Sequence, residues 1–520
     1  MRVFSDLKTS TVVQLLICFF VFGTGRTVYA VPLNRPNILY ILADDMGMGD
    51  VSSLNPKSAW KTPNIDRLAA EGRVFTDAHS ASGVCTPSRY TLLTGRYSWR
   101  GSLKSSVLHG YDRPLIEQGR ATVASFLKSQ GYVTSMVGKW HLGLDWVRTG
   151  SKLEEVDFSK PFGGGPMAQG FDHFFGISAS LDMPPYVYLE NNRATTIPQS
   201  TVTNSPKPRM WRAGPVGSDF KFEEVHPRFI EKSIGFLQER AVAKDDKPFF
   251  LYLALASPHT PIIPTVAFEG RTKTNPYGDF VVQVDTSIGE ILAALDRLEL
   301  SRTTLVIFTA DNGCSPAANL EELKKVGHDP SAGFRGHKAD LFEGGHRVPF
   351  LVRWPGQVPA GTRCARTVGQ LDLFATCAEI LGVRLSDSDA VDSVSFLSLL
   401  RGGDKPLEGR QLLVHHSNNG SFAVRQGKWK LLMVPDSGGW SFPQPGKGLV
   451  DGLPRYQLYD MEQDPAETTN LLSTHPEVVA RLGKGLRTVI ERGRSSPGAP
   501  QGYDRKTAWP QTAWKSDFTD

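Results

Sequence analysis

The sequence predicts an α/β protein: a large, mostly parallel or mixed sheet sandwiched by helices, followed by a smaller C-terminal antiparallel sheet with one helix packed on it. Three observations predict it. Short apolar runs of strand length alternate with helical runs as far as about residue 401, the pattern of strands laid parallel by helical crossovers. Polar clusters follow four of those apolar runs directly. After Arg401 the composition changes: Gly402-Gly403 and Pro406 mark a linker, and the runs beyond it are short and strand-like, with a single late helix.

Taken in order, residues 37–43 (NILYILA) form the first strand and end at Asp44-Asp45. Residues 62–71 read as a helix, with Thr62 as its cap and Pro63 in its first turn. Residues 122–129 are helical and lead through Gly131 into a strand over 132–137. A helix over 228–240 precedes the strand 249–254, and the amphipathic helix 277–298 precedes the strand 304–309. Past the linker, 421–425, 429–433 and 456–459 read as strands and 476–492 as a helix. From about Arg494 the chain is rich in Gly, Pro, Ser and charge, which fits either a disordered tail or a surface strap. The domains expected are thus 31–401, 402–495 and a tail over 496–520.

The N-terminus reads as an export signal. Arg2 and Lys8 precede an apolar run over 12–22, and Val28-Tyr29-Ala30 fits a cleavage site before Val31. That run is shorter than the roughly 20 residues a membrane-spanning helix needs, and no later stretch is apolar enough to span. The mature chain is therefore expected outside the cytoplasm, periplasmic or extracellular, with no membrane span. The net charge is +5, of which the first thirty residues carry +2, leaving +3. That is too little to argue for nucleic acid as a partner. Of five cysteines, Cys18 leaves with the signal, and Cys85, Cys314, Cys364 and Cys377 are too few in so long a chain to be a disulfide scaffold. Cys364 and Cys377 could bridge, or Cys377 could be helix core.

The chemistry sits after the strands. Asp44-Asp45 follows the first, Lys139-Trp140-His141 the second, Ser257-Pro258-His259 the third and Asp311-Asn312 the fourth. In open α/β sheets, ligands bind at the carboxyl ends of the strands. Asp44, Asp45, Asp311 and Asn312 offer hard oxygens that suit calcium or magnesium better than zinc. Either pair alone would be read as a turn or cap; two pairs after two apolar strands favour a metal. Cys85 stands at or just before a helix that Pro87 opens and Tyr90 to Thr94 continue. Anions and thiolates are favoured at such a helix end, although a lone cysteine is more often a buried small hydrophobe.

These residues carry a resemblance. Cys85-Thr86-Pro87-Ser88-Arg89 followed by Leu92-Leu93-Thr94-Gly95 resembles the Cys-x-Pro-Ser-Arg motif of the type I, formylglycine-dependent sulfatases, arylsulfatase-like members of the alkaline-phosphatase superfamily. Residues 131–141 are similar to that family's second motif. Gly336-His337-Lys338 with Glu343-Gly344-Gly345-His346-Arg347 resembles a third, and Leu458-Tyr459-Asp460 with Asp464-Pro465, Glu467 and Asn470-Leu471 resembles the hallmark of its C-terminal domain.

The resemblance implies an alkaline-phosphatase-like fold and a sulfatase acting on a sulfated small molecule or carbohydrate. It implies that a maturing enzyme oxidises Cys85 to formylglycine (3-oxoalanine), hydrated to a diol whose hydroxyl attacks sulfur. One Ca2+ would be held by Asp44, Asp45, residue 85, Asp311 and Asn312. Arg89 and Lys139 would neutralise and orient the diol, and His141 would take the proton that regenerates the aldehyde. Lys338 would hold sulfate oxygens, and His259 would bind sulfate and protonate the leaving alcohol.

Other residues carry less. Glu343 and Arg347 are expected to form an ion pair supporting Lys338. His328, His337 and His346 are expected in loops. His415-His416 could line the cleft or lie on the surface. The loop Leu181-Asp182-Met183-Pro184-Pro185-Tyr186, with Arg193, could set substrate choice or be structural. Two rival functions remain. One is a formylglycine-dependent phosphodiester or phosphonate monoester hydrolase of the same superfamily; the other is a non-catalytic carbohydrate-binding protein on the same scaffold.

Overall fold

The computed structural model describes residues 35–207, 209–447, 452–503 and 508–519. The expected export signal lies outside the described residues. Among them, the main sheet has ten strands. Its centre is parallel, in the spatial order Thr304–Ala310, Asn37–Ala43, Phe249–Ala254, Val133–Lys139 and His173–Ile177. Phe350–Arg353 joins antiparallel to Thr304–Ala310, and Arg73–Phe75 and Thr362–Cys364 complete that margin. Leu189–Glu190 and Arg193–Ala194 close the other. The sheet is therefore mixed, with a parallel heart.

The strand sequences explain why. Side chains alternate between faces with period two. Ile38, Tyr40 and Leu42 enter one core with the helices Cys85–Thr94, Val123–Ser129 and Leu373–Ile380. Leu39, Ile41 and Ala43 enter the other with Pro63–Glu71, Val225–Val242 and Pro276–Arg297. A strand covered on both faces needs an unbroken apolar run, which NILYILA, FFLYLA and TLVIFTA supply. The register then aligns their ends: Ala43 lies beside Ala310, Leu42 beside Ala254, and Ala254 beside Gly138. Gly138 is required there. It has φ 123°, and a Cβ would stand 1.8 Å from the Ala254 carbonyl oxygen.

Two caps behave differently. Thr122 Oγ1 accepts from Ser125 N at 3.0 Å, opening the helix Val123–Ser129 as a true cap. Thr62 precedes the helix Pro63–Glu71, but its hydroxyl is engaged by Ser52 N (2.9 Å) and Asp66 Oδ1 (3.2 Å) and does not cap.

The C-terminal sheet has four antiparallel strands, Leu413–His416, Phe422–Gln426, Trp429–Leu432 and Gln457–Asp460. The helix Pro476–Arg492 covers it, burying Val478, Leu482, Leu486 and Ile490 in a core shared with Tyr97, Trp99 and Leu371. The described tail is a strap, since Trp514 and Phe518 are buried in the same core. No described helix is long and apolar enough to cross a membrane.

Buried ionic groups join this sheet to the rest. Arg100 Nε and Nη2 donate to Asp392 Oδ2 and Oδ1, both at 2.8 Å, and Nη1 donates to the Val489 carbonyl at 3.2 Å. Glu343 does pair with Arg347 (3.0 Å), but it also meets Lys430 (2.9 Å), which reaches Glu467 at 2.7 Å. His346 and His415 are neither loop nor surface. His346 ends a one-turn helix, lies 3.1 Å through Nδ1 from His79 Nδ1, and stacks on His415 with ring centroids 3.8 Å apart. His415 and His416 both lie buried in a strand. Burial pushes His346 and His415 well below the ordinary histidine range, so both are neutral. Cys364 and Cys377 are free thiols in the core, with no bridge between them.

Removing one partner of a buried, hydrogen-bonded pair strands the other charge. Arg100→Ala is expected to lower stability by about 3–5 kcal/mol, read as the denaturant midpoint of unfolding. A loss below about 1 kcal/mol, typical of an exposed pair, would show that this contact does not dock the C-terminal helix.

Candidate active site

The aligned strand ends deliver their polar residues to one rim. Asp44 and Asp45 leave one strand, and Asp45 takes the left-handed conformation, φ 62°. Asp311 and Asn312 leave its neighbour. Asp45 N donates to Asp311 Oδ1 at 3.2 Å, and Asn312 Nδ2 donates to Asp45 Oδ1 at 2.7 Å. All four residues are buried. The Tyr277 hydroxyl holds the turn from behind, 3.1 Å from the Asp45 carbonyl and 2.6 Å from Asp50 Oδ2. His328 Nε2 lies 3.0 Å from Asp50 Oδ1; it stands in a loop, as expected, and is a buried support for this turn.

Three cations compensate the three carboxylates. Arg89 donates from Nε (2.9 Å) to Asp311 Oδ2, with Nη2 at 2.8 Å from the same oxygen, and from Nη1 to the Lys139 carbonyl (3.0 Å). Lys139 Nζ donates to Asp44 Oδ2 at 2.6 Å, and Lys338 Nζ to Asp45 Oδ2 at 2.7 Å. His259 Nε2 lies 3.5 Å from Asp45 Oδ2, while its Nδ1 donates to the Thr260 carbonyl at 2.6 Å. Burial alone would raise Asp44, but Lys139, His259, Arg89 and Lys338 hold it well below the usual carboxylate range. Burial likewise works against the Lys338 ammonium, and Asp45 nevertheless holds it above its ordinary value.

The cradle has acceptors to spare. Asp44 Oδ1 and Asn312 Oδ1 are buried without a hydrogen-bond partner. Donor atoms of Asp44, Asp45, Cys85 and His259 all lie within 4.8 Å of one another. Orphaned carboxylate and amide oxygens are what a hard divalent cation takes up, so the residues present fit calcium or magnesium.

Cys85 opens the helix Cys85–Thr94. The segment before it is clamped from two sides: Gly83 N donates to the His416 carbonyl (3.1 Å), and Ala339 N donates to the Gly83 carbonyl (2.7 Å). Arg89 sits one helical turn on, on the same face. Burial pushes the Cys85 thiol up to about 11 against the pull of Lys139 and Lys338, so the encoded side chain is a neutral thiol. His141, at φ 58°, is driven well below the histidine range by burial and then by Lys139 and Arg89. Its Nε2 donates to the Leu108 carbonyl at 2.7 Å, which leaves Nδ1, buried and without a partner, as the acceptor.

A cavity of about 430 Å³ opens on Cys85, His141, His259 and Lys338. Arg89 and Lys139 do not line it; they lie behind the carboxylates they neutralise. The loop named above divides: Asp182 and Met183 line the cavity, whereas Arg193 points elsewhere and donates to the Ser159 carbonyl at 3.2 Å. Ser180 and Trp440 also line it, and neither was singled out from the sequence. Trp440 lies in the Gly-, Ser- and Pro-rich stretch 437–443 of the C-terminal region, where only an unexpected aromatic could have marked it.

A mixed sheet with acids at its carboxyl rim and a cysteine opening a buried helix beside them defines an α/β protein with a candidate active site at that rim. Residues 36–383 match the family model Sulfatase, and the chain belongs to the sulfatase family, enzymes that hydrolyse sulfuric esters. It is 34% identical over 498 residues to an N-acetylgalactosamine-6-O-sulfatase of Bacteroides thetaiotaomicron, covering 88% of this chain and 94% of that one. It is 33% identical over 461 residues to arylsulfatase A of Bos taurus, covering 85% and 84%. A solved Bacteroides thetaiotaomicron sulfatase, described with that organism's metabolism of multiple glycosaminoglycans, superposes with a TM-score of 0.76 at 32% identity, covering 88% of this chain and 99% of its own.

Proposed function

We propose that this protein is an exported sulfatase that removes sulfate from a sulfated carbohydrate. Its nucleophile is a formylglycine made from Cys85 by a maturing enzyme, and it binds one divalent cation, calcium by first choice. The catalytic region is 31–401, with 402–495 as a docked subdomain. The observation that carries this reading is the placing of Cys85 at a buried helix end beside a cradle with orphaned oxygens on Asp44 and Asn312. A carbohydrate is favoured by the N-acetylgalactosamine-6-O-sulfatase relative and by a cavity wall that mixes polar side chains with the aromatic Trp440.

Asp44, Asp45, residue 85, Asp311 and Asn312 would hold the cation. When present, the hydrated aldehyde and the cation would supply a nucleophilic hydroxyl at neutral pH and a positive pole for a sulfate oxygen. The chain's own residues do the rest. Arg89 and Lys139 keep Asp311 and Asp44 ionised and in place. Lys338 binds sulfate oxygens from the cavity side of Asp45. His141, a neutral imidazole oriented by the Leu108 carbonyl, accepts a proton at Nδ1. His259, fixed through Nδ1 by Thr260, presents Nε2 to the leaving oxygen and donates a proton there. Family membership favours sulfate over the phosphodiester or phosphonate reading, and a higher rate on a phosphodiester than on an aryl sulfate would reverse that choice. The full set of charged and imidazole side chains speaks against a non-catalytic scaffold.

Three outcomes follow from these roles. Peptide mass spectrometry of active protein from a competent host is expected to find the thiol of residue 85 replaced by an aldehyde; active protein carrying only thiol would overturn the nucleophile. Adding calcium to chelated protein at a hundredfold excess over its dissociation constant is expected to stabilise the fold by about 2.7 kcal/mol, and Asp45→Asn is expected to remove most of that gain. Full activity of protein shown by metal analysis to be cation-free would sink the cation site. The two histidines are expected to separate by substrate, because a sugar alkoxide needs a proton in the transition state and a nitrophenolate needs little. His259→Ala should lose about 10²–10⁴-fold on a sugar sulfate and far less on nitrophenyl sulfate, whereas His141→Ala should slow both alike. Equal losses for His259→Ala would leave that residue as a sulfate binder only.

A further inference from the structure

One wall of the reaction cavity contains a carboxylate that the chemistry above does not use. Asp182 is 3% exposed and lines the cavity with Cys85, His259 and Lys338. Its position is over-determined: its carbonyl oxygen accepts from the Tyr186 hydroxyl (3.1 Å), from Arg212 N (3.1 Å) and from Arg212 Nη1 (3.2 Å). One carboxylate oxygen, Oδ2, is paired with the Arg212 guanidinium. The other, Oδ1, is buried and has no hydrogen-bond partner. Ser180, 1% exposed and on the same wall, has an unpartnered hydroxyl as well.

A buried acceptor without a donor costs about 1–3 kcal/mol, more for a charged group, and calls for an explanation where it stands. An ionised carboxylate only accepts, and it repels a sulfate. Asp182 therefore does not hold the sulfate; it stands in the cavity wall, where the group that carries the sulfate would meet it. Trp440, 42% exposed, adds an aromatic face to the same cavity, its backbone N held by Asp340 Oδ1 at 2.7 Å. An aromatic face beside fixed acceptors suits a pyranose, whose C–H face is apolar and whose edge bears hydroxyls.

Building on the sulfatase reading, we infer that Asp182 selects the sugar. Asp182 Oδ1 accepts a hydrogen bond from a ring hydroxyl of the sulfated residue. The substrate class is a sulfated pyranoside with a free hydroxyl near the sulfated carbon. Aryl and steroid sulfates that lack that donor would leave Asp182 Oδ1 unpaired and be disfavoured. A site built to hydrogen-bond a hydroxyl rejects analogues lacking it far more strongly than an apolar pocket rejects a missing methylene.

The test uses the matured, calcium-loaded enzyme, wild type, Asp182→Asn and Asp182→Leu, with thermal unfolding to confirm that the variants fold. The probes are nitrophenyl sulfate, a panel of sulfated monosaccharides that includes N-acetylgalactosamine 6-sulfate, and deoxy analogues of the best sugar. The loss of kcat/KM caused by Asp182→Leu on the sugar should exceed its loss on nitrophenyl sulfate by about 10²-fold, with Asp182→Asn smaller in the same direction. One deoxy analogue should be poor for the wild type and no poorer, relative to the parent sugar, for Asp182→Leu. Equal losses on both substrate types, or a wild type indifferent to every deoxy change, would overturn the inference. So would turnover of nitrophenyl sulfate with no sulfated pyranoside accepted, which would leave the sulfatase reading standing. A wild type that turns over neither would instead overturn the sulfatase reading itself.

Discussion

Three carboxylates, Asp44, Asp45 and Asp311, stand fully buried at one end of the sheet, and keeping them ionised there is the constraint on which the structure depends. Isolated burial of a carboxylate is prohibitive, and a buried pair holds only with close geometry and hydrogen bonds to the remaining lone pairs. Here the compensating charges come from three separate parts of the chain: Arg89 from the helix Cys85–Thr94, Lys139 from a strand end, and Lys338 from the turn after Gly336. Each part is thereby drawn to the rim. Cys85 arrives because Arg89 must, since the two lie one helical turn apart. Three positive and three negative charges balance, so a divalent cation in the cradle would leave the cavity net positive toward an anionic ester.

The cysteine's position also depends on the C-terminal sheet. The strand Leu413–His416 bonds to the chain just before Cys85, through the His416 carbonyl to Gly83 N and to Ser82 Oγ at 2.7 Å. Arg100, held by Asp392 and donating to the Val489 carbonyl, and Lys430 with Glu343 fasten that sheet and its helix to the larger core. The smaller sheet is thus part of the site's scaffold, and through Trp440 part of its wall. Strain collects at the same rim: Asp45 and His141 both take left-handed backbone conformations that non-glycine residues rarely adopt. The packed sheet behind them holds these turns in place.

Much of this was legible in the residues. The strands NILYILA and FFLYLA match their predicted bounds, as does the helix Pro476–Arg492, because a strand buried on both faces and an amphipathic helix each write their environment into a local pattern. The strand Val133–Lys139 runs two residues further than expected, since parallel pairing with Phe249–Ala254 continues through Gly138, whose lack of a Cβ permits it. The acids, lysines and histidines of the rim could be named because each follows such a strand.

By itself the sequence determined the parallel core, the strand-end chemistry and the cysteine motif, since these rest on neighbours in the chain and on periodic burial. Tertiary structure alone decided the rest. Strand status for Leu413–His416, with two buried imidazoles, came from pairing with Phe422–Gln426 and from contact with the segment before Cys85. The tail became a strap because Trp514 and Phe518 found a core to enter. His346 and His415 met across a large sequence separation, and Asp182 Oδ1 was left without a donor only by what surrounds it. These outcomes depend on which distant groups share a space, and no local pattern records that.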